Sequence, residues 1–134
     1  MTMTFFDIAT WTGKLYASGW RAGSSVGEVI SPSTGERLAE YGVASAADLD
    51  AAVDGAVEAQ RAWAARPAGE RSAILRRAGE LISENADELA RWLMDEAGSS
   101  GGKAAFEAGL VADEFHLAAA TAMMPYGQLL QTSR

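Results

Sequence analysis

Cysteine is absent from the 134 residues. No disulfide, thiolate metal site or cysteine nucleophile can therefore be assembled within this chain. Histidine occurs once, at His116, so no imidazole pair or His–Cys set is available for a metal, and no metal site is expected. Proline occurs only three times, and each instance marks a break in pattern. Long hydrophobic runs are missing too. No stretch approaches the roughly 18 continuous apolar residues that a membrane span requires, and a membrane partner is not expected. The N-terminal MTMTFFDIATWTGK lacks the basic region and small-residue cleavage site of a secretory signal, which makes the cytoplasm the default compartment. Basic residues are few as well, 11 against 18 acidic, for a net charge of −7. Nucleic-acid binding draws on clustered positive charge. Here Arg71, Arg76 and Arg77 sit among acids, so nucleic acid is excluded as a partner.

What remains is a chain that is 49% hydrophobic and 22% charged, the composition of a folded globular segment. Strand signals fall in 15–22 (LYASGWRA) and 27–44 (GEVISPSTGERLAEYGVA), with a turn cluster from Ser31 to Gly35 in the second. A small antiparallel β ribbon is expected over 15–44. From Ser45 the period lengthens. Ser45-Ala-Ala-Asp48 is a capping-box variant, and Leu49, Val53, Ala56, Val57 and Trp63 recur at helical spacing. The spacing predicts a helix over about 45–65, stopped by Pro67, which can serve the first turn of the next. The second helix is expected over 67–97, with Ile74, Leu75, Ala78, Leu81 and Ile82 on one face. At Asn85-Ala-Asp-Glu88 a second N-cap pattern breaks it and restarts it. A third helix is expected over 103–124, its apolar side including Phe106, Leu110, Val111, Leu117 and Ala118, and Pro125 closes it. Residues 125–134 have the look of a strand beginning. The alanine-rich, broadly apolar helices imply packing against something further.

The stretch Glu96–Phe106, EAGSSGGKAAF, has the outline of a phosphate-binding loop. Such a loop needs G-x-x-x-x-G-K-[ST] after a buried strand. Here three residues separate Gly98 from Gly102, Ala104 follows Lys103, and a helix precedes. The simpler expectation is a helix-to-helix connection with Gly98 as a left-handed cap. Elsewhere, Glu107 and Glu114 are two turns apart on one helix and fit a solvated face better than a carboxylate pair. The four tryptophans are dispersed, and three of them fall in patterned segments that suit a core. Met123 and Met124 suit flexible core filling. No nucleophile, base and oxyanion donor come together, so no catalytic residue and no cofactor-binding residue is assigned.

The order of segments nevertheless resembles the N-terminal portion of NAD(P)-dependent aldehyde dehydrogenases. The elements that carry this are Ser18-Gly19-Trp20, the turn Pro32, Thr34, Gly35 and Glu36, and the helix start at Ala44 with Asp48, Leu49, Asp50, Ala52 and Val53. Trp63, Pro67 and Arg71 follow, then the Asn85–Leu89 segment, then Glu96 and Gly98. No single motif is specific, but their order and spacing together are, and they cover the chain from Trp11 onward. The resemblance implies an α/β fold: a ribbon and three long amphipathic helices, in residues 1–124, forming the first part of a Rossmann-like cofactor-binding domain. Residues 125–134 would begin an oligomerisation strand. It further implies a complete enzyme that binds NAD or NADP, oxidises an aldehyde to a carboxylic acid, and pairs with identical subunits. The family's catalytic cysteine, general-base glutamate, oxyanion asparagine and cofactor glycines have no matching position here, so this segment alone is expected to bind no cofactor.

One carry-over concerns substrate. In the family the third helix borders the substrate tunnel, and the corresponding positions are Phe106 and Leu110, four apart and so on one face. The common Glu-x-Gly-Lys is lengthened here to Glu-Ala-Gly-Ser-Ser-Gly-Gly-Lys, with KAAFEAG behind it, which is similar to members acting on benzaldehyde-type substrates. A phenyl group at 106 can stack on an aromatic aldehyde, or it can simply pack beneath a neighbouring helix. The competing expectation is a self-contained helical interaction module without enzymatic activity.

Overall fold

A computed structural model describes residues 7–17, 19–125 and 127. Among the described residues nine elements follow in chain order: α1 (Ile8–Trp11), β1 (Lys14–Tyr16), β2 (Trp20–Ala22), β3 (Ser25–Ile30), β4 (Arg37–Val43), α2 (Ala46–Ala65), α3 (Ala68–Glu84), α4 (Ala86–Ala97) and α5 (Gly101–Thr121). The short α1 has no counterpart in the sequence reading. Four residues cannot display a helical period, and its start is marked by the Asp7 carboxylate, which accepts the Ala9 N–H at 3.1 Å and the Thr10 hydroxyl at 3.0 Å.

The ribbon consists of two antiparallel hairpins. β1 pairs with β2, from Lys14 opposite Ala22 to Tyr16 opposite Trp20. The stretch 15–22, which carries strand signals, is thus folded back on itself, closed by the Ala17 N–H on the Gly19 carbonyl at 3.0 Å. β3 pairs with β4, with an irregularity between Val29 and Ile30. Their turn is the Ser31–Gly35 cluster. The Ser31 hydroxyl accepts the Thr34 N–H, and the Gly35 N–H reaches the Ser31 carbonyl at 2.9 Å. β1 lies beside β4, through the Gly13 N–H to the Glu40 carbonyl.

Helix α2 opens on a complete capping box. The Ser45 hydroxyl accepts the Asp48 N–H at 3.2 Å, and the Asp48 carboxylate accepts the Ser45 N–H at 2.8 Å. Arg21 of β2 joins this cap, 3.3 Å from the Asp48 carboxylate and hydrogen-bonded to the Asp48 carbonyl. The ribbon is thereby fastened to the start of α2. Pro67 stands one residue earlier than its expected place, as the N-cap of α3 in extended conformation.

The segment expected as a helix over 67–97 is two helices divided at Asn85. The cause differs from the expected N-cap. The Asn85 amide donates backward to the Leu81 carbonyl at 2.7 Å, closing α3, and makes no side-chain cap for α4. Glycine at 98 adopts φ 65°, ψ 23° and ends α4. Its N–H meets the Met94 carbonyl, and the Ser99 N–H meets the Leu93 carbonyl, a left-handed helix end. Ser100 then caps α5 by accepting the Lys103 N–H. This start is two residues ahead of the one read from sequence, and the end is at Thr121.

α5 lies across α3 and α4. Its buried residues are Ala104, Ala108, Ala112 and Ala119, and those of α3 are Ser72 and Gly79. Small side chains let helix axes approach closely. No large side chain is fully buried among the described residues. α2 makes no extensive contact with any other element, and its Leu49, Val53 and Val57 lie exposed.

Candidate functional site

Helix α5 is apolar on two opposite sides for two different purposes. At 3.6 residues per turn, Phe106, Leu110 and Leu117 fall within about 40° of one another, and the four buried alanines centre roughly opposite. The alanines seat the helix on α3 and α4. The larger side chains point outward, with Phe106 68% exposed, Leu117 61% and Leu110 45%. The pair singled out from sequence therefore shares one outward face, and Leu117 extends it by two turns. Among the described residues, Phe106 does not pack beneath a neighbouring helix.

The connection before this helix is not built to hold a phosphate. The Ser100 hydroxyl already occupies the Lys103 N–H. The Lys103 ammonium turns along its own helix to the Glu107 carboxylate at 2.6 Å and to the Ser99 hydroxyl. Glu107 is thus held in an ion pair, while Glu114 lies by Trp63, Arg71 and Leu75; the two carboxylates are not brought together. His116 rests over Gly79, where a methyl group would meet its Cε1 at 3.0 Å.

Three tryptophans separated in sequence do converge. Trp11 stands edge-on to Trp20 and to Trp92, with ring centroids 6.3 Å apart in each case. Tyr16 adds a further edge contact to Trp20 at 5.3 Å. The three tryptophans border a cavity of about 610 Å³ between the ribbon and α4, completed by Tyr41, Leu89 and Leu93. Sequence reasoning missed this cluster, since the three indoles come from a four-residue helix, a short strand and α4. Trp63 belongs elsewhere, beside α3 and α5.

The Asp48 carboxyl is held below the usual carboxylate range. The Ser45 N–H contributes most, followed by the Ser45 hydroxyl and the nearby Arg21 guanidinium. Arg77 is shifted upward by Glu84 and Glu80. Both groups belong to helix-surface networks away from the outward face of α5. No helix among the described residues is long and apolar enough to cross a membrane.

This arrangement, a ribbon joined to outer helices whose large apolar side chains face outward, has close relatives. Residues 20–134 match the model of the aldehyde dehydrogenase family, and the chain belongs to that family. A vanillin dehydrogenase of Amycolatopsis sp. is 46% identical over 129 residues, which are 96% of this chain and 26% of that protein. An NAD(+) benzaldehyde dehydrogenase of Pseudomonas putida is 41% identical over 124 residues, 92% of this chain and 26% of that protein. The crystal structure of an NAD-dependent benzaldehyde dehydrogenase from Corynebacterium glutamicum superposes with a TM-score of 0.84 at 36% identity, covering 99% of this chain and 29% of that one. The chain thus spans about a quarter of the length of these curated relatives. Its ribbon and helices correspond to the N-terminal part of the family's α/β fold.

Proposed function

We propose that this chain is the N-terminal part of an aromatic aldehyde dehydrogenase, an enzyme that oxidises a benzaldehyde-type substrate to the carboxylic acid with NAD(P)⁺. The observation that carries this reading is the outward Phe106–Leu110–Leu117 face, on a chain resembling vanillin and benzaldehyde dehydrogenases. An exposed apolar face of this kind marks a surface that other protein or a ligand covers. The cover is the remainder of the enzyme, and the substrate tunnel runs along the same face at Phe106 and Leu110.

The chemistry needs a thiolate to attack the aldehyde carbon, and this chain has no cysteine. The nucleophile, the general base and the groups that hold the dinucleotide are assigned to other parts of the enzyme. The dinucleotide, when bound, accepts the hydride, and water releases the acid. Residues 1–124 contribute scaffold to the cofactor-binding domain and one wall to the tunnel. The oligomerisation strand expected over 125–134 lies, apart from Pro125 and Gly127, outside the described residues. The enzyme is assigned to the cytoplasm.

A phenyl group at 106 favours aromatic substrates by edge or offset contact, an effect of about 0.5–1.5 kcal/mol. Phe106→Ala in the complete enzyme is expected to lower the ratio of kcat/KM for benzaldehyde to that for acetaldehyde about 2- to 13-fold. An unchanged ratio contradicts the tunnel assignment.

A further inference from the structure

We propose that Gly79 is a positioning residue for substrate selection, acting through the height at which α5 sits above α3. The proposal rests on the assignment of Phe106 and Leu110 to the substrate wall and extends it to a residue on a different helix. Gly79 is buried, and it faces α5 at the Ala112 carbonyl and the His116 imidazole. A methyl group at this position would lie 3.0 Å from His116 Cε1 and 3.1 Å from the Ala112 carbonyl oxygen. The imidazole of His116 is exposed and can swing aside. The Ala112 carbonyl cannot, since it belongs to the backbone of α5, and the helix must give by a few tenths of an ångström.

The rest of the contact has the same character. Ser72, one heptad before Gly79, is buried on α3, and α5 answers with Ala104, Ala108, Ala112 and Ala119. Interfaces made of small side chains have few rotamers with which to absorb an added atom, so displacement passes to the helix itself. A helix moves as a rigid body over this length. A shift imposed on its alanine side appears on the opposite side, where Phe106 and Leu110 stand. Misplacement of a substrate-contacting group by an ångström or less is enough to change rates measurably.

The test compares Gly79→Ala with Gly109→Ala in the complete enzyme. Gly109 lies on α5 with open space around its Cα, so that variant alters helix propensity without a clash. Gly79→Ala is expected to change the benzaldehyde to acetaldehyde ratio of kcat/KM at least 3-fold while the protein still melts cooperatively, and Gly109→Ala to leave it unchanged. Should Gly79→Ala fail to fold, Ala112→Ser adds one atom to the buried side of α5 at the residue whose carbonyl faces Gly79 and is expected to move the ratio. A wild-type ratio in the folded Gly79→Ala variant, or in Ala112→Ser where it replaces it, overturns the proposal. If Phe106→Ala does shift the ratio in that case, the tunnel assignment survives and only the role of Gly79 is lost. If Phe106→Ala has no effect either, both fall together.

Discussion

The junction at Asp48 shows how much one side chain can coordinate. Its carboxylate closes the capping box with Ser45 and pairs with Arg21 from the ribbon, joining two elements that otherwise share little surface. The capping box was legible in the sequence because its partners are three residues apart. The Arg21 contact was not, because it links positions 27 residues apart and no local pattern encodes it. Ser45 and then Arg21 hold the Asp48 pKa below its unfolded value. The folded state therefore binds its proton less readily than the unfolded chain. The resulting stabilisation is present above the unfolded pKa of about 4 and is lost as pH falls through the folded value. Asp48→Asn is expected to be less stable than wild type at neutral pH, with the gap closing as the solution is acidified below about pH 4. Denaturant midpoints measured across that range check this, and a gap that stays constant with pH contradicts it.

At the scale of elements, helix ends were the most readable feature and helix faces the least. Gly98 was assigned as a left-handed cap from its place after a periodic run, and its φ of 65° agrees. A non-glycine residue there is strained by about 1–2 kcal/mol, and an alanine methyl would also approach Pro32 Cγ to 3.1 Å. Gly98→Ala is expected to lower stability by about that amount, read as a fall in the denaturation midpoint; an unaltered midpoint would show that the turn relaxes freely. The break at Asn85 was also expected, but its cause was not, because asparagine can donate backward to Leu81 as readily as it can cap forward. Faces misled for a physical reason. Periodicity reports where large apolar residues recur, without saying what covers them. On α5 the side turned to the chain's own core is the alanine side, whose small residues stand out less in a periodic pattern than Phe106, Leu110 and Leu117. The tryptophan cluster was hidden similarly, assembled from three elements by tertiary packing alone.

At the scale of the whole molecule, the absence of any large buried side chain among the described residues and the exposed stripes on α2 and α5 belong together. Alanines give close helix contacts but little apolar area, and area is what stabilises, at about 25 cal/mol per Å². Such a structure leaves large apolar side chains on α2 and α5 exposed for further protein to cover. This accords with a chain spanning 26% of a vanillin dehydrogenase to which it is 46% identical. The family was legible from the order of weak motifs. The aromatic preference rested on the lengthened loop before α5 and on Phe106, and the structure adds that Phe106 faces outward. The most direct measurement is the steady-state oxidation of benzaldehyde, vanillin and acetaldehyde by the complete enzyme, followed as NAD(P)H formation. The account predicts turnover with kcat/KM for both aromatic aldehydes above that for acetaldehyde. No NAD(P)H formation with any of them, or a preference for acetaldehyde, would contradict it.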